Sequence, residues 1–523
     1  MPALSAGHTS ICPFSPRFLA TSSRHDRLSH RISLSLHRSL HTTHTLRSRP
    51  SISFNGQVQS PTYLAALAAL DADLAARYPA GRPKGEKEKI DHPPWPERDK
   101  MSQLLYAASI RGRCSLVSLD KAREFVRGAL ALDKKRKGKE GRVIVEAFPG
   151  PGAVTRALLE LPRSEVKRVI VLEEELKYLK FLKELEYCDD RVHVLSHSGF
   201  IWEAYDEIRD LGLLDDVAVE DWKMAPHSTL QFIGHLPLGP VGEQLIAQLF
   251  RAIPERSWLF KYGRMRMSWI LAKRMLERIQ SPAKKQSRCK LTIIAEATAD
   301  LSPAIPAKDL EDYNKLFYPK SDPASGKRVP LARRVGQPFV SLNIDPLADG
   351  AIMPRTEANE LIARAVINPS GTNASVNSFE KAEVERIIDE GKVKESMSVA
   401  SARGLMKGMA TASSRVGDFE RVPMPLGEGT RVTLEKWDYV VRQLFILKST
   451  PLEKAIQNLG SGAAILLSKL TGPDVPEERR VNIKTTVNAL TVRDFARIVE
   501  EFDRWPFAPD VLFLADLMEE DKN

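Results

Sequence analysis

The stretch Arg142 to Thr155, Arg-Val-Ile-Val-Glu-Ala-Phe-Pro-Gly-Pro-Gly-Ala-Val-Thr, constrains the fold of this chain more than any other. Val143, Ile144 and Val145 in succession read as a buried strand. The run ends on Glu146, turns through Gly150 and Gly152, and enters a helix at Ala153. Glycine tolerates backbone conformations and close approaches that a side chain forbids, so any strand-to-helix turn can use one. An acidic residue at the strand's carboxyl end followed by such glycines is also what a doubly wound sheet presents at its ligand crevice.

The next acidic residue narrows the ligand. A second apolar run, Val169 to Leu172, ends on Glu173. A carboxylate about twenty positions after the first motif can accept hydrogen bonds from both hydroxyls of a ribose. No Lys-Ser/Thr follows the glycines, which argues against a nucleoside triphosphate. Between a dinucleotide and S-adenosylmethionine, the pattern Glu146-x-x-x-Gly150-x-Gly152 with Thr155 is more like a site for the latter.

Taken in order, the chain alternates strands and helices. A helix over Tyr63–Arg77 and another over Leu119–Leu132 precede the first strand, and Lys134 to Lys137 form a basic loop. After the first strand the pattern predicts a helix at 153–161 and a strand ending at Glu173. A helix at 176–187, a strand at 192–195 and a helix at 202–209 follow. Beyond these come a strand at 230–233, a helix at 241–250, and strands at 258–261, 291–294 and 339–343. Such alternation means a mostly parallel sheet covered on both faces, with the ligand where Glu146, Glu173 and Gly234 converge. Residues 346–430 read as an irregular insertion with one helix at 378–390. Short amphipathic helices at 437–447, 452–459, 463–470 and 492–502 make a small helical domain of 431–523. The main α/β domain spans 101–345, and the proline- and lysine-rich 51–100 is a linker with a short helix.

Composition separates the first fifty residues from the rest. The net charge of +10 suggests a nucleic-acid partner, yet residues 1–50 hold seven arginines, no lysine and one acid, and so supply 7 − 1 = +6 of it. With ten serines in the same stretch, this has the composition of a mitochondrial transit peptide, and it implies the matrix. No apolar run is long enough to span a membrane. The four cysteines, Cys12, Cys114, Cys188 and Cys289, show no paired ligand spacing, so no structural metal is expected. Basic residues outnumber the single acid, Glu277, over 261–290. Arg264, Arg266, Lys273 and Arg274 are the candidate nucleic-acid contacts there, and Lys327, Arg328, Arg333 and Arg334 form a second cluster.

The motif at Glu146 resembles the Glu-x-Gly-x-Gly-x-Gly-x-Leu-Thr run of the rRNA adenine N6-dimethyltransferases. The fourth strand leads into Gly234-His235-Leu236-Pro237-Leu238, similar to the family's Asn-Leu-Pro-Tyr/Phe. A basic stretch, Arg264 to Arg274, matches a helix after the family's fifth strand. Phe502-Asp-Arg-Trp-Pro-Phe-Ala-Pro509 resembles the tail of the mitochondrial transcription factor B branch, including its fungal members. The resemblance implies a class I S-adenosylmethionine-dependent methyltransferase fold, Rossmann-like, with a C-terminal helical domain. It also implies S-adenosylmethionine held by Glu146, Gly150, Gly152, Glu173 and Ser198, and a target base held at His235 to Leu238.

The departures bear on mechanism. Phe148 stands at the first glycine of the family run, Ser198 at an acid expected to hold the cofactor's adenine, and Arg113-Cys-Ser-Leu116 at the family's Gln-Asn/His-Phe-Leu entrance. His235 replaces the asparagine and Leu238 the aromatic, and a leucine cannot stack on a base. Cofactor binding is thereby weakened or vestigial. Two functions follow. One is a monomeric initiation factor that binds promoter DNA with mitochondrial RNA polymerase. The other is an S-adenosylmethionine-dependent dimethyltransferase of mitochondrial small-subunit rRNA. A third and weaker reading is an assembly factor that binds rRNA without modifying it. The tail and the altered positions favour the first.

Overall fold

The computed structural model describes residues 60–79, 92–97, 100, 101, 103, 105, 113–133, 140–223, 226–320, 336–353 and 432–509. The expected transit peptide, the basic loop at 134–137, the cluster at 327–334 and the helix at 378–390 lie outside them.

A helix opens the described chain at Pro61–Arg77 (α1). Ser60 caps it by accepting from the Tyr63 amide, and the proline sits where a helix lacks no donor. The short strand Ser115–Leu116 (β1) and the helix Leu119–Ala129 (α2) lead to Arg142–Ala147 (β2), all six residues of which are buried. Then follow Ala153–Leu159 (α3), Val166–Leu172 (β3), Leu176–Cys188 (α4), Val192–Leu195 (β4), Trp202–Asp210 (α5), Leu230–His235 (β5) and Pro240–Glu255 (α6). Arg266–Ala272 (β6), Lys273–Ile279 (α7), Lys290–Thr298 (α8), Ala299–Ser302 (β7), Phe317–Tyr318 (β8) and Phe339–Pro346 (β9) complete the α/β region. Ile352–Met353 (β10) pairs with Val432–Thr433 (β11), which leads into Leu434–Ile446 (α9), and the last long helix among the described residues is Val492–Asp503 (α10).

Seven strands form one sheet in the order β4-β3-β2-β5-β6-β9-β7. The five from β4 to β6 are parallel, and β9 joins β6 antiparallel. Because the chain moves outward from β2 to β4 and then crosses back to β5, the switch point lies between β2 and β5. A crevice opens there at the carboxyl ends. This is the Rossmann-like, mostly parallel architecture expected from the sequence.

Three expected elements differ. Trp258 to Lys261 is not a strand but a 3-10 turn, Trp258–Tyr262, entered with a left-handed Trp258 (φ 54°). The fifth parallel strand is Arg266–Ala272, within the stretch expected to be a helix. Its apolar Met267, Trp269 and Leu271 alternate onto one face, and the strand pairs with both β5 and β9. Leu291 to Ile294 is helical despite its β-branched residues. A capping box between Cys289 and Thr292 starts the helix, and both Ala295 and Ala297 sit in its buried face. Short apolar runs read equally well as strand or helix, and tertiary packing decides.

The C-terminal helices share the hydrophobic core on the face of the sheet covered by α6 and α8. Asp438 on α9 receives both Arg251 of α6 and Lys290 of α8 at 2.8 Å, so two ion pairs anchor the helices to the sheet region.

Candidate functional site: a cleft at the carboxyl ends of the strands

Glu146 ends the apolar part of β2 and is buried, its Oε2 accepting from Thr155 Oγ1 at 2.7 Å. Burial pushes its carboxyl up to about 8, with the Glu173 charge adding and the Thr155 hydroxyl opposing. At neutral pH it is largely protonated. Gly150 and Gly152 both adopt left-handed backbone, with φ 62° and 92°. A Cβ at Gly150 would come within 2.4 Å of Ser115 Oγ, and one at Gly152 within 2.8 Å of Leu182 Cδ2. The close approach these glycines permit is taken by the chain's own side chains.

Glu173 follows β3 and is 1% exposed. Arg113 binds it in a fork, Nη1 to Oε1 and Nη2 to Oε2, each at 2.6 Å. Oε1 also accepts from the amides of Glu174 and Glu175 at 3.0 Å. The guanidinium centre lies 5.0 Å from the Tyr178 ring centroid and 5.7 Å from that of Phe148. Burial opposes the charge on Arg113, but Glu173 raises its pKa above the ordinary arginine value. Phe148 is itself left-handed (φ 57°) and buried. Its ring lies over Gly199, where a Cβ would meet Phe148 Cε2 at 3.3 Å. Ser198, also buried, accepts from the Phe200 amide at 3.4 Å and supplies no carboxylate.

On the other side of the crevice His235 ends β5. Burial and then the Arg113 charge push its pKa down to about 3, so the ring is neutral. It stands edge-on to Phe339 and Phe317, at 5.1 and 5.8 Å between centroids, and its buried Nε2 has no partner among the described residues. Leu236 is buried and continues the strand pairing through its amide to Ile270. The Pro237 carbonyl oxygen packs on Gly242, where a Cβ would approach to 1.9 Å. Leu238 is half-buried in the core beneath.

The four candidate nucleic-acid residues do not form one face. Arg264 precedes β6 and Arg266 begins it, at the end remote from the crevice. Arg264 donates to the carbonyls of Trp222 and Pro346, at 2.6 and 3.2 Å, and Arg266 forks onto Asp345 at 2.6 and 2.8 Å. Lys273 and Arg274 follow the carboxyl end of β6 and are exposed. The stretch 264–274 is expected from its sequence to lead into a helix. A strand separates the two pairs.

Three features escaped the residue-by-residue reading: the Arg113 fork, the Phe148 ring over Gly199, and the Phe317–Phe339 pair beside His235. Their signals were present as an arginine in the entrance motif and an aromatic at a glycine position. A cavity of about 460 Å³ lies elsewhere, between α5 and α6, lined by Trp202, Tyr205, Arg251 and Trp258 among others.

Tested against an adenosyl cofactor, the residues do not fit. Both oxygens of the ribose-type carboxylate are taken, Ser115 and Leu182 pack against Gly150 and Gly152, and the Phe148 ring packs against Gly199.

The sheet order, the glycine turn and the acidic strand ends define a methyltransferase-type domain. Residues 129–319 match the family model described as ribosomal RNA adenine dimethylase. The chain is similar to proteins named "Mitochondrial transcription factor 1" from Saccharomyces paradoxus and Saccharomyces cerevisiae. Each is 19% identical over 387 residues, covering 73% of this chain and 86% of the relative. It is also similar to "Mitochondrial dimethyladenosine transferase 1" of Bos taurus, 25% identical over 199 residues, 38% of this chain and 54% of that one. Among solved structures, a dimethyladenosine transferase from Plasmodium falciparum aligns with TM-score 0.37 at 12% identity, over 75% of this chain and 98% of that chain.

Proposed function

We propose that this chain is a mitochondrial transcription initiation factor that binds promoter DNA together with mitochondrial RNA polymerase, using a methyltransferase-type fold as its scaffold. The observation that carries the reading is the extent of similarity. It reaches 73% of the chain with relatives named for transcription and 38% with the Bos taurus transferase. The cleft supports it physically. Methyl transfer to an adenine amine needs an acceptor and a stacking surface to hold the flipped base in line. His235 is shut among Phe317 and Phe339, and Leu238 offers no ring. Exposed Lys273 and Arg274 at the crevice end suit the phosphates of a melted strand.

The arginine-rich segment 1–50 serves as the import signal to the matrix, and loss of import on its deletion tests that assignment. The second reading, a small-subunit rRNA dimethyltransferase, draws on the family match and on the retained Glu146 and glycine turn.

The two readings rank variants differently. His235→Ala should change promoter-directed run-off by no more than about twofold, a difference of less than about 0.5 kcal/mol. An enzyme would lose methyl transfer to an rRNA stem-loop with the same substitution, and that loss in a chain whose wild type methylates the stem-loop and leaves promoter-directed run-off unaffected would count against the initiation factor.

A further inference from the structure

We propose that the cofactor cleft of this chain is closed by its own residues: the Arg113 guanidinium occupies the place of a ribose on Glu173, and the Phe148 ring fills the adjoining space against Gly199. The chain therefore takes up no adenosyl ligand.

Glu173 accepts four hydrogen bonds, two from Arg113 and two from amides, and both oxygens are engaged. In a forked arginine–carboxylate pair both partners are charged, whereas two ribose hydroxyls would offer bonds in which only the acceptor is. A ligand would also have to leave the guanidinium without its partner in a part-buried place.

Arg113 is held from behind. It lies two residues before β1, which pairs antiparallel with β8, Ser115 opposite Tyr318 and Leu116 opposite Phe317. Ser115 Oγ donates to Tyr178 Oη at 3.0 Å and packs onto the Gly150 turn. The Tyr178 ring in turn lies under the guanidinium at 5.0 Å. One two-stranded ribbon thus sets Arg113 into the cofactor side of the crevice and Phe317 against His235 on the base side. Phe148 completes the closure from β2. It holds a left-handed backbone that an aromatic residue rarely adopts, at a position where the family resemblance places glycine.

The inference concerns the cofactor alone and does not rest on promoter binding. A chain that binds S-adenosylhomocysteine and still drives initiation sinks the closure and spares the proposed function. A chain that binds none and drives no initiation does the reverse.

The test is calorimetric titration of S-adenosylmethionine and S-adenosylhomocysteine into the full chain, as wild type, Arg113→Gln, Phe148→Gly and Arg113→Gln/Phe148→Gly. The wild type should show no saturable binding up to about 1 mM. The double variant frees the carboxylate and restores glycine at the left-handed position, and should bind at least about tenfold tighter than wild type. A saturable wild-type Kd below about 1 mM overturns the proposal. So does a double variant that keeps its far-ultraviolet circular dichroism and gains nothing. If the double variant does not fold, the wild-type titration and Phe148→Gly alone decide.

Discussion

Replacing Glu173 with glutamine removes the charge but keeps the size, and the structure gives the cost. The native carboxylate receives two guanidinium bonds at 2.6 Å and two amide bonds at 3.0 Å, in a site where it is 1% exposed. Breaking a buried ion pair by removing one partner costs about 3–5 kcal/mol. Arg113 keeps 20% of its side chain in reach of water, so part of its charge is rehydrated and about 2–4 kcal/mol is the better range. For the roughly 330 residues the structure describes, the unfolding entropy is about 0.7 kcal/mol per kelvin, so the melting temperature should fall by about 3–6 °C. Arg113→Gln should cost a comparable amount, because it strands the carboxylate. The double variant should cost less than the two single losses together by at least about 1 kcal/mol, since neither charge is then left alone. Scanning calorimetry of the four proteins at pH 7 and one scan rate reads this cycle. A shift below about 1 °C for Glu173→Gln, or strict additivity, refutes the ion pair as described.

Two other expectations follow from the same geometry. Glu146 has its pKa raised from 4.5 to about 8 in the folded chain, so folding binds a proton there between these values. Its contribution is fully present below pH 4.5 and is lost as pH rises through about 8. The change amounts to about 4–5 kcal/mol, and Glu146→Gln should flatten the fall in melting temperature across that window; an unaltered slope would contradict it. Lys273→Ala/Arg274→Ala should weaken single-stranded DNA binding and reduce its log-log salt slope by about 0.7–0.9 per lost contact. Arg264→Ala/Arg266→Ala should instead lower thermal stability with the salt slope unchanged, because those side chains hold Asp345 and two carbonyls; a flattened slope in this pair would restore them to the nucleic-acid face.

The centre of the fold was legible because β2 carries its own signature. An apolar run, an acid and two glycines can hardly be anything but a strand entering a helix at a crevice. The edges were less so. Trp258 to Lys261 and Leu291 to Ile294 are as apolar as any strand, and what decided them was partnership: β6 found β5 and β9 on its two sides, and a capping box claimed Leu291 for a helix. At the site, the sequence identified the positions but not their occupancy. Glu173 was visible as a ribose-type acceptor, whereas the arginine that satisfies it lies sixty residues earlier. Only the pairing of β1 with β8 brings that arginine in. Likewise the histidine at the base motif was visible, but not that Phe317 and Phe339 enclose it.

The most direct measurement of the central claim takes the full wild-type chain, purified once and divided between two reactions. One is run-off transcription from a mitochondrial promoter by the polymerase of the same organism. The other is transfer of labelled methyl groups from S-adenosylmethionine to a small-subunit rRNA stem-loop. The account predicts that initiation at the promoter requires the chain and that no label reaches the RNA. Efficient methylation with initiation unaffected by the chain would contradict it.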